Sequence, residues 1–210
     1  MEEINQEKEK SLIGKSFFYF FDMLSVVIWA LVIIIPIRVF LFQPFFVQGA
    51  SMQPNFHNGE YLIVGEWGYK QTQLKLGEKE IFTVKPTKEF SRGDVIVFKY
   101  PLNPKEIFIK RVIGLPGEKI EINEGKIKIS NEKYPEGFFL DEKGYIPSMT
   151  KTTCEDYCDF NLSQNEYIVM GDNRSHSSDS RYWGVLPKEN VIGKVFVRAW
   201  PVGEFDFFME

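Results

Sequence analysis

Ser51 lies between Ala50 and Met52 in the stretch VQGASMQPNF, and no Asp, Glu, Lys or Arg occurs from Val39 to Gly59. A serine hydroxyl becomes a nucleophile only when a base takes its proton. The usual bases are a histidine held by an aspartate, a lysine, or an N-terminal amine. His57 and His176 are the two imidazoles of the chain. A triad through Asp172 or Asp179 would need one of them. Both histidines lie in polar, loop-like sequence, where a solvated side chain is the ordinary reading. GASMQ also departs at its last position from the G-x-S-x-G elbow.

Lys110 is the better candidate base. It sits inside IFIKRVIG, a strand pattern in which Phe108 and Val112 share its face. Desolvation between large apolar neighbours disfavours the charged amine and can lower a lysine pKa by roughly 3–5 units from about 10.4. The same pattern also fits a lysine snorkelling from a strand edge. Arg111 points to the opposite face and suits a structural ion pair. The run SNEK, Ser130 to Lys133, matches S-x-x-K, but it follows a hairpin and lacks the S-D-N and K-T-G partners.

These residues need elements to hold them. After Gly59 the segments EYLIVGEW, GDVIVFKY, EIFIKRVIG, EYIVMGD and VIGKVFVRAW are rich in Val, Ile, Phe and Tyr and bounded by turn formers. That is the signature of strands. KIEINEGKIKI alternates about Asn123-Glu124-Gly125 and reads as a hairpin. A short helical turn fits Pro187 to Asn190. The expected fold is mainly β: an antiparallel β-sheet domain from 43 to 210 preceded by one transmembrane helix. The stretch from about 120 to 165 reads as a variable insertion, loop-rich and without a clear strand past 130.

The transmembrane expectation rests on residues 17–42, with 1–16 as a tail. As a helix this segment would be about 39 Å long, more than a bilayer core of about 30 Å. Its charge-free centre runs from Met23 to Ile37, with Asp22 and Arg38 near the two interfaces. A cleaved signal peptide would have a shorter apolar run and small residues at −3 and −1; a cut after Ala50 would put Gln48 at −3. Lys8, Lys10 and Lys15 precede the segment, which favours a cytoplasmic N-terminus and an exported C-terminal domain. The N-terminal amine would then lie across the membrane from Ser51.

The net charge of −4 argues against a nucleic-acid partner, which would call for a basic stripe. Cys154 and Cys158 lie four residues apart in CEDYC without a nearby histidine pair. That is a weak metal site. It fits either a small disulfide loop in an exported domain or two free thiols.

Four blocks in order, SMQPNF after an apolar anchor, RGDVIVF, KRVIGLPGE and GDNRSHSSDSRYWG, resemble the bacterial type I signal peptidases. These are membrane-bound Ser-Lys proteases that release exported proteins from their signal peptides. The resemblance implies Ser51 as nucleophile, Lys110 as general base and Ser177 as a serine that orients the lysine amine. It implies Asp179 and Arg181 as an ion pair under the site, with Asp172 and Asn173 shaping the same turn. Phe45, Val47, Met52, Phe56 and Ile109 match positions near the family's substrate pockets, which take small residues at −1 and −3. The implied partners are preprotein signal peptides and the lipid bilayer of the cell membrane, near the secretion translocon. No cofactor or metal is implied. Gly49 stands where many relatives have a serine whose hydroxyl supports the oxyanion, so the Ser51 N–H is expected to carry more of that task. Asn55 and Phe56 replace the more usual Thr-Leu. The alternative is a membrane-anchored β domain that binds exported peptides or a partner without cleaving them; burial of Lys110 separates the two. Self-cleaving Ser-Lys regulators carry a DNA-binding region in place of an anchor.

Overall fold

The computed structural model describes residues 19–34, 42–69, 72–76, 79–84 and 87–208. Two compact units divide between Leu41 and Phe42. In the first, residues 19–34 form a helix, α1, with Asp22 as its one charged residue. Its large apolar side chains, from Tyr19 to Ile34, are exposed. No helix among the described residues is long and apolar enough to cross a membrane. The segment expected to do so runs from 17 to 42; residues 17, 18 and 35–41 lie outside the described residues. Its C-terminal boundary needs correction, because Phe42 opens strand β1, Phe42–Phe46. Pro44 explains the change: it disfavours helical backbone at the residue before it.

The second unit is built of antiparallel strands. They are β1, β2 (Tyr61–Gly65), β3 (Thr72–Leu76), β4 (Lys79–Val84), β5 (Val95–Tyr100), β6 (Asn103–Gly114), β7 (Lys119–Asn123), β8 (Lys126–Ser130), β9 (Phe138–Phe139), β10 (Asp159–Asn161), β11 (Glu166–Met170), β12 (Leu186–Pro187), β13 (Val191–Trp200) and β14 (Asp206–Phe207). The main sheet has the order β1-β2-β13-β5-β6-β11-β12, with β14 added to β13. A second sheet has the order β10-β7-β8-β9, and β3 pairs with β4 alone. Among the described residues of this unit the one α-helix, α2, spans Ser180–Trp183, and short 3-10 turns lie at Arg174–His176, Lys188–Asn190 and Val202–Glu204.

Period-two alternation distributes the core. On β5, Val95 and Val97 enter a cluster with Val47, Met52, Phe56 and Leu62, while Ile96 and Phe98 enter a second with Val112, Tyr167 and Val169. On β11, Tyr167 and Val169 face that second cluster, whereas Ile168 and Met170 join the isoleucines of the smaller sheet. β11 therefore holds the two sheets together. The β7–β8 loop is two residues, since Asn123 pairs with Lys126. Glu124 and Gly125 both have positive φ, as hairpin loops of this length require.

Two strands lie where the sequence pattern gives none past residue 130. β9 and β10 have two and three residues, too few for alternation to register. Cys154 and Cys158 are joined in a disulfide. Ile168→Ala should lower stability by about 2–5 kcal/mol, because Ile168 is fully buried where the sheets meet. A urea midpoint at unchanged slope measures the effect.

Candidate active site

Ser51 starts a tight turn after β1. Asn55 N–H and Phe56 N–H both donate to Met52 O, at 3.0 and 2.9 Å. The turn sends Met52 and Phe56 into the core and leaves Ser51 half-buried beside a cleft. Lys110 sits mid-strand on β6, in register with Ile96 of β5, on the face that Phe108 and Val112 also occupy. The two residues meet: Lys110 Nζ lies 2.8 Å from Ser51 Oγ and donates to Ile109 O at 2.9 Å. Lys110 is 4% exposed, which excludes the edge-lysine reading. Burial lowers its pKa from 10.5 to about 8, against the pull of Asp179 and Asp172, which favour the charged form.

The remaining candidates support this pair. Asn173 holds the backbone of the nucleophile: its N–H donates to Ser51 O at 3.0 Å and its Nδ2 to Ala50 O at 3.1 Å. Asp172 accepts from Arg111 at both oxygens, 2.8 Å from Nε and 2.6 Å from Nη2. Asp179 is fully buried. It accepts from Arg181 Nε and Nη2 at 2.8 and 2.9 Å and from Gly171 N–H at 2.9 Å. Ser177 is buried beside them, but its hydroxyl has no hydrogen-bond partner among the described residues. Its approach depends on Gly171, where a Cβ would fall 2.2 Å from Ser177 Oγ and 2.4 Å from Ser51 O.

Gly49 has φ +93° and open space around it, so backbone conformation, not crowding, explains the glycine. Its N–H donates to Asn58 Oδ1 at 2.9 Å and is therefore occupied. Among the described residues no acceptor takes the N–H of Ser51.

The cleft encloses about 740 Å³ and is lined near the pair by Phe45, Val47, Ile109, Leu62 and Val97. Met52 and Phe56 need correction as lining residues. Each is 1% exposed within the core, and they back the cleft without forming its wall. Leu62 and Val97 replace them; strand alternation cannot say which buried valine borders a cleft. His176 lines the cleft too, exposed, with Nδ1 2.9 Å from Ser175 Oγ. His57 is exposed.

Sequence reasoning also missed Arg174. It is buried at 2% exposure, donates through Nε to Gly171 O at 3.0 Å, and reaches Glu142 and Thr152 with its other nitrogens. Its partner lies 32 residues away, in the aperiodic part of the insertion. Arg181 extends the same support, donating to Arg174 O at 2.7 Å and to Thr153 O at 3.0 Å.

Residues 20–200 match the family model described as signal peptidase, peptidase S26. The chain belongs to the signal peptidase family, peptidase S26. It is thus a serine protease by family. It is 30% identical to signal peptidase I of Pseudomonas aeruginosa, over 96% of this chain and 77% of that protein. Probable signal peptidase I-2 of Synechocystis is 31% identical over 82% of this chain and 70% of the relative. Signal peptidase I P of Bacillus subtilis subsp. natto is 31% identical over 82% and 84%.

The lowered pKa of Lys110 carries a stability consequence. Below about pH 8 the amine is charged in both states, so the folded state bears the full desolvation cost. The cost declines as pH rises from about 8 to 10.5 and is absent above, where both states are neutral. Lys110→Met should therefore be more stable at pH 7, by on the order of 3 kcal/mol, with the difference vanishing above pH 10.5. Denaturant midpoints across pH measure it; a destabilised variant at neutral pH contradicts the burial cost.

Proposed function

We propose that this chain removes signal peptides from exported preproteins with a Ser51–Lys110 dyad, cleaving after small residues at −1 and −3. The observation that carries the reading is the amine of a buried lysine 2.8 Å from a serine hydroxyl. Ser51 Oγ attacks the scissile carbonyl carbon while neutral Lys110 takes its proton. The ammonium then protonates the departing amine as the C–N bond breaks, leaving an acyl-enzyme. Lys110 next takes a proton from water, the resulting hydroxide attacks the ester, and the proton returns to Ser51 Oγ. Oxyanion charge falls to the uncommitted N–H of Ser51; one such donor is worth about 2.7–4 kcal/mol. Ser177, buried beside the site with an unsatisfied hydroxyl, is suited to orient the amine once substrate closes the cleft.

The substrate lies extended beside β1, one of the two end strands of the main sheet among the described residues. Phe45, Val47 and Ile109 line the cleft at this point and leave room for small apolar side chains. The segment before β1, from residue 17, anchors the chain in the cell membrane by a single pass with the N-terminus cytoplasmic. The apolar, exposed surface of α1 supports this. So do Phe42, Phe46, Tyr61 and Trp200, exposed on the neighbouring strands β1, β2 and β13, where an aromatic belt would meet lipid. A non-catalytic peptide-binding domain would have no use for a desolvated Lys110.

Preprotein cleavage by the detergent-solubilised full chain tests the dyad. Ser51→Ala and Lys110→Ala should each lower kcat by about 10⁴-fold or more, while His57→Ala and His176→Ala retain activity. In the wild type, kcat/KM should rise about tenfold per pH unit up to the Lys110 pKa of about 8, then level off. Near wild-type turnover of either dyad variant sinks the assignment. Loss with a histidine variant and survival of Lys110→Ala points to a triad.

A further inference from the structure

Asn55 joins three segments that must agree for the dyad to be aligned. It closes the turn that Ser51 opens, through its N–H to Met52 O at 3.0 Å. Its Nδ2 donates to Asp172 Oδ2 at 2.7 Å and to Tyr145 O at 2.5 Å. The same Asp172 carboxylate holds Arg111, the residue after Lys110 on β6. The residue after Asp172, Asn173, holds the carbonyls of Ser51 and Ala50. Tyr145 belongs to the insertion, and its ring lies 4.4 Å from the Arg111 guanidinium. Arg198 Nη2 donates to Asn55 O at 2.9 Å, which fixes the backbone of Asn55 from the β13 side.

These contacts make a closed circuit. One path runs from Ser51 through the turn to Asn55 and Asp172. A second runs from Asp172 through Arg111 to Lys110. A third returns from Asp172 through Asn173 to Ser51. An asparagine suits the junction because its amide carries two donors, and a carboxylate and a carbonyl both accept. An aspartate would set like charge against Asp172, and an alanine would leave both acceptors without this donor.

We propose that Asn55 is a positioning residue for the Ser51–Lys110 pair, pinning the nucleophile turn to the Asp172 carboxylate that also holds the base strand, and to the Tyr145 carbonyl of the insertion. The inference rests on the dyad reading above. Asn55 touches no reacting atom; it acts through the distance and angle between Ser51 Oγ and Lys110 Nζ. Misplacement by about 1 Å can cost on the order of 10²-fold in rate.

The test is steady-state cleavage of a preprotein by the full chain in detergent, as a function of pH, for wild type, Asn55→Ala and Asn55→Thr. Asn55→Ala should lower kcat by about 10- to 100-fold, with KM within about twofold and the acid limb still near 8. Asn55→Thr keeps one donor for Asp172 and should recover part of kcat. A kcat for Asn55→Ala within about twofold of wild type overturns the proposal. So does an acid limb that moves up toward 10.5 together with a lowered melting temperature, which marks a turn that has opened and let water onto Lys110. Equal kcat for the Thr and Ala variants also overturns it. Ser51→Ala run in parallel separates the two levels. If Ser51→Ala stays active, the dyad reading fails; if it is inactive and Asn55→Ala is normal, only the positioning role fails.

Discussion

A lysine amine beside a serine hydroxyl serves as a base only in its neutral form, and a useful neutral fraction near pH 7 requires that water be kept from it. The rest of the domain can be understood as the means of doing so. Lys110 lies mid-strand on β6, between β5 and β11, with Ile96 opposite and Phe108 and Val112 on either side of it along the face. Lys110 stays nearly buried, yet its Nζ reaches the Ser51 hydroxyl at the cleft. That arrangement opposes stability, because the folded state must strip water from a group that prefers to be charged.

Two buried carboxylates complicate the balance. Asp179 and Asp172 both favour the charged amine, so left unpaired they would undo the desolvation. Each is matched by a guanidinium in bidentate contact, Arg181 for Asp179 and Arg111 for Asp172. Buried ion pairs contribute little net stability, but losing one partner is costly. Their use here is mechanical. Asp179 holds the Gly171 N–H, and Arg181 and Arg174 hold backbone carbonyls. Gly171 is thereby fixed where Ser177 and the Ser51 carbonyl converge.

The strands that carry the site were legible because they alternate. β2, β5, β11 and β13 fall within segments whose period-two pattern and flanking turn residues mark them, and β6 extends such a segment at its start by Asn103 to Lys105. Lys110 could be singled out as a polar residue within such a pattern. The β7–β8 hairpin was equally plain. Less was visible where contacts are long-range or elements short. β3 and β4 lie in a stretch without clean alternation, and β9 and β10 are too brief to show it. Arg174 and Glu142 find each other across 32 residues of chain, and no local pattern links them. Met52 and Phe56 match positions near the family's substrate pockets, but the geometry of the turn sends them inward. Whether Cys154 and Cys158 pair was open from spacing and is decided by the loop that brings them together.

The central claim is the state of one amine, and it can be observed without turnover. Lysine labelled with ¹³C and ¹⁵N, with the Lys110 signal assigned by its loss in Lys110→Met, permits a direct NMR titration of the side chain in the solubilised protein. The expected midpoint is about 8, well below the ordinary lysine value of 10.5. A midpoint at the ordinary value of 10.5 would contradict the account, since the neutral fraction at pH 7 would fall from about one in ten to about one in 3000, too little to take the proton of Ser51.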